Sequence, residues 1–206
     1  MSSGEVLPSE GAYATGRIAS TSACVLHPGG IELTLRAVSL AGLRRKARVL
    51  DLGCGTGATV LFLRSHEFEA IGIDSAYRPT SEILDLYCQR ACAEKLPFEF
   101  SSLDAVLAEC SLSLMNDPAR VLSECARVVR PGGSIIICDL YARNPADISA
   151  VRALDQECVC GLLIREELER WLQHSGFAIT CFEDHSKELC EAMARFILDH
   201  DSPAEL

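Results

Sequence analysis

The chain has 206 residues, of which 49% are hydrophobic and 23% are charged, and its mean hydropathy is +0.17. This composition excludes a wholly disordered chain, and the length leaves little room for a second full domain. The formal net charge of −10 argues against a nucleic-acid-binding protein, which usually carries a basic face. Uncharged runs fall far short of the roughly 20 residues of a membrane span, and the chain begins without a signal-peptide pattern, so a cytoplasmic protein with no membrane partner is expected.

Cysteine is unusually frequent, with eleven residues in a chain that shows no export signal. In a reducing compartment these side chains are expected to be thiols rather than disulfides. No CxxC pair occurs, so neither a structural zinc site nor any other metal site is predicted. Most of the cysteines are interpreted as small core residues. Those on predicted elements are Cys88, Cys125, Cys138, Cys181 and Cys190.

Apolar periodicity and turn residues predict alternating helices and strands along most of the chain. The predicted elements, in chain order, are an irregular arm over 1–30, a helix over 31–43, a strand over 47–52, a helix over 57–67, a strand over 69–74, a helix over 80–90, a loop over 92–98 after a very short third strand, a strand over 103–109, a helix over 118–130, a strand over 134–140, a helix over 165–175, a strand over 177–182 and a helix over 187–199. Asp117 and Pro118 are typical of a helix start, and Pro131-Gly132-Gly133 predicts where that helix stops.

This alternation predicts an α/β fold, doubly wound, with a mostly parallel sheet and helices on both faces. Ligands of such sheets bind at the carboxyl ends of the strands, near the point where the strand order switches. The residues that follow each strand are therefore the first candidates for a functional site.

The clearest motif is the glycine loop that joins the first strand to the next helix, Asp51-Leu52-Gly53-Cys54-Gly55-Thr56-Gly57. Glycine permits a tight turn and a close backbone approach to a ligand, and the following helix offers N–H groups. Asp74 closes the next strand, where a carboxylate can accept two hydroxyl groups of a ribose. The loop and its acid predict a cofactor that contains a nucleoside, and by themselves they leave a nicotinamide dinucleotide or S-adenosylmethionine (SAM) open.

Several spaced motifs resemble those of class I SAM-dependent methyltransferases. They are VLDLGCGTG at 49–57, GID at 72–74, AEKLPF at 93–98, LDAV at 103–106, ECARVVRPGGSIIICD at 124–139 and REELERWLQHSGF at 165–177. The similarity covers about residues 47–183. It implies a Rossmann-like methyltransferase fold, SAM as cofactor and S-adenosylhomocysteine (SAH) as product.

The resemblance also implies roles for individual residues. Residues expected to line the methionine part of SAM are Asp51, Gly53, Cys54, Gly55 and Gly57. Asp74 is expected to hold the ribose hydroxyls, with Ser75 beside it. Glu109 and Cys110 are expected below the sulfonium. Cys92 stands where the family often has an acid that meets the adenine, so either the backbone of Ala93 takes over that contact or the selectivity for adenine is weaker.

A single domain is predicted, divided into an arm or lid over 1–30, a cofactor-binding core over 31–140, a substrate cover over 141–163 and the rest of the sheet and helices over 164–206. The family usually closes its sheet with an antiparallel strand pair. Only a short polar stretch follows the helix at 187–199, so two alternatives are open: the sheet ends one strand early, or the chain is clipped.

The methyl acceptor is expected over the strand ends, and a small molecule is the main hypothesis. Arsenite methyltransferases are similar in this region and hold trivalent arsenic by thiolates, which suit a soft metalloid. Under that alternative the catalytic cysteines are Cys110, Cys158 and Cys160, with Cys24 as a further candidate. A macromolecular acceptor, a SAM-binding regulator without transferase activity and a nicotinamide-dependent oxidoreductase stay open as further alternatives, and the sequence leaves the oligomeric state undetermined.

Overall fold

A five-stranded parallel sheet forms the centre of the protein, with strand order β3-β2-β1-β4-β5. The computed structural model describes residues 27–77, 82–144, 146, 148 and 162–199. The elements in these residues are α1 (Gly30–Leu40), β1 (Arg48–Leu52), α2 (Ala58–Ser65), β2 (Glu69–Asp74), α3 (Glu82–Asp85), β3 (Cys88–Arg90), β4 (Leu103–Glu109), a 3₁₀ turn (Leu112–Leu114), α4 (Pro118–Val128), β5 (Val129–Cys138), β6 (Tyr141–Ala142), β7 (Leu163–Ile164), α5 (Arg165–His174) and α6 (Ser186–Asp199). The predicted doubly wound α/β fold is confirmed.

The sheet is buried on both faces, which explains why its central strands are continuously apolar. Val49, Leu50 and Leu52 of β1 have no accessible surface. Their alternate side chains enter two different cores, as expected for a parallel strand covered on both sides. The core that contains Val49 includes residues of α1 and α2. The core that contains Leu50 includes residues of α4 and α5.

The start of α4 follows the sequence prediction, whereas its predicted stop does not. Asp117 caps the helix by accepting a hydrogen bond from the backbone N–H of Arg120, and Pro118 opens its first turn. Pro131-Gly132-Gly133 was expected to separate this helix from the next strand, but these residues lie inside β5. The pairing of β5 with β4 is shifted between Leu103 and Ala105, and this irregularity accommodates the extra residues.

The helix predicted over 80–90 is wrong in its second half. Over the described residues 82–90, helix is limited to α3, four residues long, and Cys88–Arg90 form β3, which confirms the very short third strand expected before 92–98. Cys88 pairs with Gly72 of β2. The edge of β2 offers ladder hydrogen bonds that the local sequence does not reveal, and tertiary pairing overrides the helical spacing of Ile83, Leu84 and Tyr87.

The strand predicted over 177–182 is also wrong. The N–H of Phe177 bonds to the carbonyl of Leu172, and Gly176 has a left-handed φ of 84°, so these residues terminate α5. The following residues run without regular structure to α6, and the side chains of Ile179 and Phe182 are exposed. Within the described residues the large sheet ends at β5, and β6 pairs only with β7.

The cysteines divide between the core and the surface. Cys54, Cys88 and Cys125 are buried and Cys138 is half-buried, as expected. Cys181 and Cys190 are exposed, so their interpretation as core residues is wrong: they lie in the C-terminal part, where few side chains are covered. None of the eight cysteines in the described part of the chain forms a disulfide. Cys24, Cys158 and Cys160 lie outside the described residues.

No helix in the described ranges combines the length and the apolar character that crossing a membrane requires.

Candidate functional site

The glycine loop lies at the strand switch, because β1 pairs with β2 on one side and with β4 on the other. Its turn is tied to the neighbouring strand: the N–H groups of Gly53 and Cys54 donate to the carbonyl of Ile73 at 2.8 and 3.0 Å. The N–H of Gly57 donates to the carbonyl of Cys54 at 2.8 Å and closes the turn. The loop therefore reaches the carboxyl edge of the sheet in a fixed shape, where ligands of this fold class bind.

Two of its glycines cannot be replaced without a clash. Gly53 has a φ of 79°, and a Cβ there would lie 2.5 Å from the Cβ of Ser111. Gly57 has a φ of 80°, and a Cβ there would lie 2.5 Å from Cδ2 of Leu84. Both positions demand glycine for its conformation and for its lack of a side chain.

The acid of the loop, Asp51, is buried and incompletely partnered. Its side chain is 3% exposed, and Oδ2 has no hydrogen-bond partner within the described part of the chain. Burial raises the pKa of Asp51 well above its ordinary value, and the nearby charge of Glu109 raises it further. A buried carboxylate oxygen without a partner is costly, so this atom is suited to a donor or cationic group of a ligand.

Asp74, at the end of β2, faces the same loop. Its Oδ2 accepts the N–H of Gly55 at 3.1 Å and its Oδ1 accepts the N–H of Ala76 at 2.7 Å. The carboxylate is half-buried and keeps acceptor capacity for two further hydroxyl groups. The predicted neighbour Ser75 is exposed, and its carbonyl accepts Nε of Arg90 at 2.7 Å.

The segment after β3 places Cys92 and Glu94 together. The Cys92 thiol donates to Oε2 of Glu94 at 2.8 Å, and this hydrogen bond lowers the pKa of Glu94. Ala93 packs partly against the core that holds α4 and α5. Glu94 thus supplies an acid two positions after Cys92, the position where the family often has one.

The predicted Glu109 and Cys110 end β4 at the same edge. Cys110 is half-buried and has a positive φ of 47°, and its N–H donates to the carbonyl of Cys138 at 2.8 Å. Glu109 is held by groups that sequence reasoning did not single out: the hydroxyls of Thr34 and Thr59 and the ring of His27. These residues come from distant parts of the chain, and no local pattern marks them.

A second acid, the half-buried Asp139, follows β5, and both of its carboxylate oxygens accept hydrogen bonds. Its Oδ1 accepts the Ser113 hydroxyl at 2.7 Å and its Oδ2 accepts the Ser113 N–H at 3.0 Å. Burial raises the pKa of Asp139 despite these hydrogen bonds. This pair fixes the turn after β4 to the end of β5.

The edge therefore brings together the loop 51–57 with Asp74, Glu109 and Cys110. Cys158 and Cys160 lie outside the described residues. Among the residues described, no cluster of three or more histidines, cysteines or acids is arranged to hold a metal ion.

Comparison with known proteins identifies the class of this fold and site. The family model described as a methyltransferase domain matches residues 50–137. The chain is 33% identical over 168 residues to the O-methyltransferase resE of Aspergillus sclerotiorum, which covers 74% of this chain and 61% of that protein. It is 31% identical over 186 residues to an O-methyltransferase of Pyrenophora dematioidea, which covers 79% of this chain and 69% of that protein.

The chain belongs to the class I SAM-dependent methyltransferases, and its cofactor is SAM. This membership decides the choice, left open by the glycine loop, between SAM and a nicotinamide dinucleotide.

Solved structures agree on the fold. The YcgJ protein of Bacillus subtilis superposes with a TM-score of 0.63 at 19% identity and covers 81% of each chain. CrArsM, an arsenic(III) SAM methyltransferase of Chlamydomonas reinhardtii, superposes with a TM-score of 0.55 at 26% identity and covers 73% of this chain and 60% of that one.

Proposed function

We propose that this enzyme transfers the methyl group of SAM to a nucleophilic atom of a small molecule by in-line displacement. The location of the reaction is inferred from Oδ2 of Asp51. This buried atom lies beside Gly53 at the strand switch and has no hydrogen-bond partner within the described residues. Support for a small acceptor comes from similar proteins whose names state one, the phosphoethanolamine N-methyltransferase of Triticum aestivum and the 27-O-demethylrifamycin SV methyltransferase of Amycolatopsis mediterranei. The net charge of −10 disfavours a nucleic-acid acceptor.

The residues at the carboxyl edge fit the chemical groups of SAM. An unpartnered carboxylate suits a positively charged group of the methionine part. The absence of a side chain at Gly53 lets the glycine loop approach Ser111 at the end of β4, which fixes the shape of the loop beside the donor site. Asp74 has acceptor capacity for the two ribose hydroxyls, and the segment of Cys92, Ala93 and Glu94 is assigned to the adenine. When bound, SAM supplies an electrophilic methyl group on its sulfonium.

The protein contributes alignment and exclusion of water rather than a reactive side chain of its own. In-line displacement requires the nucleophile and the methyl group to be held in close contact and in the correct orientation. A general base is needed only when the acceptor arrives protonated. The acceptor is assigned to the space above the ends of β4 and β5, next to Cys110 and Asp139. The arm over 1–30 and the segment over 141–163 are assigned to its cover.

Formation of SAH from SAM tests this function. The enzyme is incubated with SAM and, separately, with panels of small alcohols and phenols, amines, thiols, arsenite, tRNA and unfolded protein, and SAH is quantified. We expect turnover with members of the small-molecule panels and none with tRNA or protein, and we expect Asp74→Ala to reduce turnover at limiting SAM. Turnover confined to the macromolecules would disprove the proposal.

Arsenite is the alternative acceptor that a specific observation favours, because Cys110 lies at the carboxyl end of β4 and CrArsM shares the fold at 26% identity. Arsenite binding is measured for the enzyme, for the Cys110→Ser, Cys158→Ser and Cys160→Ser variants and for Cys190→Ser, an exposed control on α6. Loss of binding in the first three but not in the control supports a thiolate trap. Retention in all four excludes it.

A further inference from the structure

A buried histidine at the amino end of α1 contacts the acid at the end of β4. Nε2 of His27 lies 3.3 Å from Oε2 of Glu109, and both side chains are 5% exposed. Nδ1 of His27 lies 3.0 Å from the carbonyl oxygen of Pro28. The proposed methyl transfer assigns no role to His27, although the contact lies at the edge of the sheet where the donor site is proposed.

The hydrogen bonds of this cluster determine where its protons lie. Thr34 donates its hydroxyl proton to Oε1 of Glu109 at 2.7 Å, with the carbonyl oxygen of Gly30 a more distant acceptor at 3.4 Å, which leaves its oxygen able to accept from Nε2 of His27, 3.2 Å away. Oε2 of Glu109 also requires a proton on Nε2, and the Pro28 carbonyl requires one on Nδ1. These contacts are all satisfied together when both ring nitrogens carry hydrogen, that is, when the ring is an imidazolium.

The surrounding charges favour this protonated form. Burial lowers the pKa of His27, but the hydrogen bond and charge of Glu109, together with the Pro28 carbonyl, raise it above its ordinary value. Glu109 is the charged group that faces His27 within the described residues. Glu109 itself also faces Asp51 of β1 and Cys138 of β5. Thr34 of α1 and Thr59 of α2, the other groups in contact, do not titrate.

Glu109 also links His27 to the glycine loop, through Thr59. Oε2 of Glu109 accepts the hydroxyl of Thr59 at 3.2 Å, and Thr59 is the second residue of α2. The N-cap of that helix is Gly57, the last glycine of the loop, and it provides no side-chain cap. The contact between Thr59 and Glu109 therefore anchors the first turn of α2 from the side of β4.

We propose that His27 is a positioning residue for the methyl donor: as an imidazolium it holds Glu109 in one orientation, and through Thr59 it fixes the glycine loop against SAM. This proposal rests on the donor site assigned above. It predicts that the enzyme binds the donor more tightly when His27 is protonated. Donor affinity should then fall as the pH rises through the pKa of His27.

The test measures SAH binding by calorimetry from about pH 6 to about pH 9, a range that spans histidine titration. We expect the affinity of the wild type to fall as the pH rises. At neutral pH we expect His27→Gln and Glu109→Gln to bind about tenfold more weakly, or about 1.4 kcal/mol, without that pH dependence. His174→Gln is the matched control, because this histidine of α5 is exposed and its Nδ1 lies 2.7 Å from the carbonyl oxygen of Arg170 on its own helix. The ionisation of SAH itself changes with pH in the same way for every variant, so it does not affect the comparison between them.

A measurement on the wild type keeps the proposal testable even where a variant does not fold. The Cε1 proton of His27, assigned by triple-resonance NMR, is titrated with and without saturating SAH. Because linkage is reciprocal, SAH should raise the pKa of His27 if the protonated form binds it better. An unchanged pKa, or a His27→Gln variant with the affinity and pH dependence of His174→Gln, overturns the proposal. Failure of the wild type to bind SAH at all would refute the donor site instead.

Discussion

Ser111 occupies the space that a side chain at Gly53 would need. Its hydroxyl donates to the carbonyl of Leu52 at 2.6 Å, and a Cβ on Gly53 would lie 2.5 Å from the Ser111 Cβ. The residue after Cys110 thus determines how closely the turn between β1 and α2 can approach the end of β4. The shape of the glycine loop depends on β4 as well as on its own sequence.

We therefore expect Gly53→Ala to destabilise the protein and to abolish SAH binding. The positive φ alone costs about 1–2 kcal/mol, and overpacking against Ser111 adds about 1–3 kcal/mol. Urea unfolding and calorimetry with SAH measure both effects. Gly132→Ala is the control, because Gly132 has a φ of 76° but nothing within 4 Å of its added Cβ. Equal losses in the two variants would contradict the steric explanation, whereas partial recovery in Gly53→Ala/Ser111→Gly would support it.

The part of the site that is local in sequence could be predicted, and the part assembled across the chain could not. The loop 51–57 and Asp74 follow successive strands, so one strand–turn–helix pattern is enough to place them at one edge. Thr34 and Glu109 are 75 positions apart, and nothing near either residue indicates the contact. The sequence places His27 in the arm over 1–30 and gives no indication of its contact with Glu109.

The two wrong secondary-structure predictions have the same cause. Cys88–Arg90 have a helical neighbourhood but find an open edge of β2, so pairing decides their conformation. Residues 177–182 were expected to form a strand, but within the described part of the chain they pair with no strand edge and so have no ladder to join. Local patterns predict which strands can form, whereas strand pairing decides which do.

The assignment of Asp74 to the ribose predicts a specific loss of affinity. Asp74→Ala should weaken SAH binding by at least about tenfold, since each hydrogen bond to a charged group contributes about 1.5–3 kcal/mol. Calorimetry with SAH and with its 2′,3′-dideoxyribose analogue separates this contact from a general disturbance of the loop. The variant should lose little further affinity for the analogue. A loss as large for the analogue as for SAH would show that Asp74 acts only through Gly55.

Arg127 of α4 should support the segment assigned to the adenine. Its Nη1 and Nη2 donate to the carbonyls of Phe98 and Leu96 at 2.8 and 2.9 Å, and it pairs with Glu124, whose pKa it lowers. Arg127→Ala should cost about 1–3 kcal/mol, because it leaves these acceptors unpaired. Hydrogen exchange should become faster over 92–98.

Arg165→Ala is the control for this change, because its exposed pair with Glu169 on α5 is worth only about 0.3–0.5 kcal/mol. Protection over 92–98 should be unaffected by it. If Arg127→Ala leaves exchange in this segment at the rate of the control, Arg127 does not hold the segment.

Asp51→Asn should stabilise the ligand-free protein while weakening the donor site. Because burial raises the pKa of Asp51, the folded state binds a proton that the unfolded chain releases above the ordinary pKa of aspartate. Stability is therefore lost as the pH rises from that ordinary value toward the raised one. Asparagine removes this loss, so the gain in the unfolding temperature should be present at neutral pH and vanish in acid. SAH affinity should fall, since Oδ2 is the proposed partner of a cationic group.

Asp139→Asn should destabilise the ligand-free protein, although burial raises the pKa of Asp139 as well. Both of its oxygens accept hydrogen bonds, from Ser113 and from the N–H of Leu140, so an amide group would place a donor against donors. A cost of about 1–3 kcal/mol is expected. Thermal unfolding of Asp51→Asn and Asp139→Asn over a pH series checks both predictions. If Asp51→Asn were as destabilising as Asp139→Asn, Oδ2 of Asp51 would have a partner in the free enzyme, and its assignment to the donor would fail.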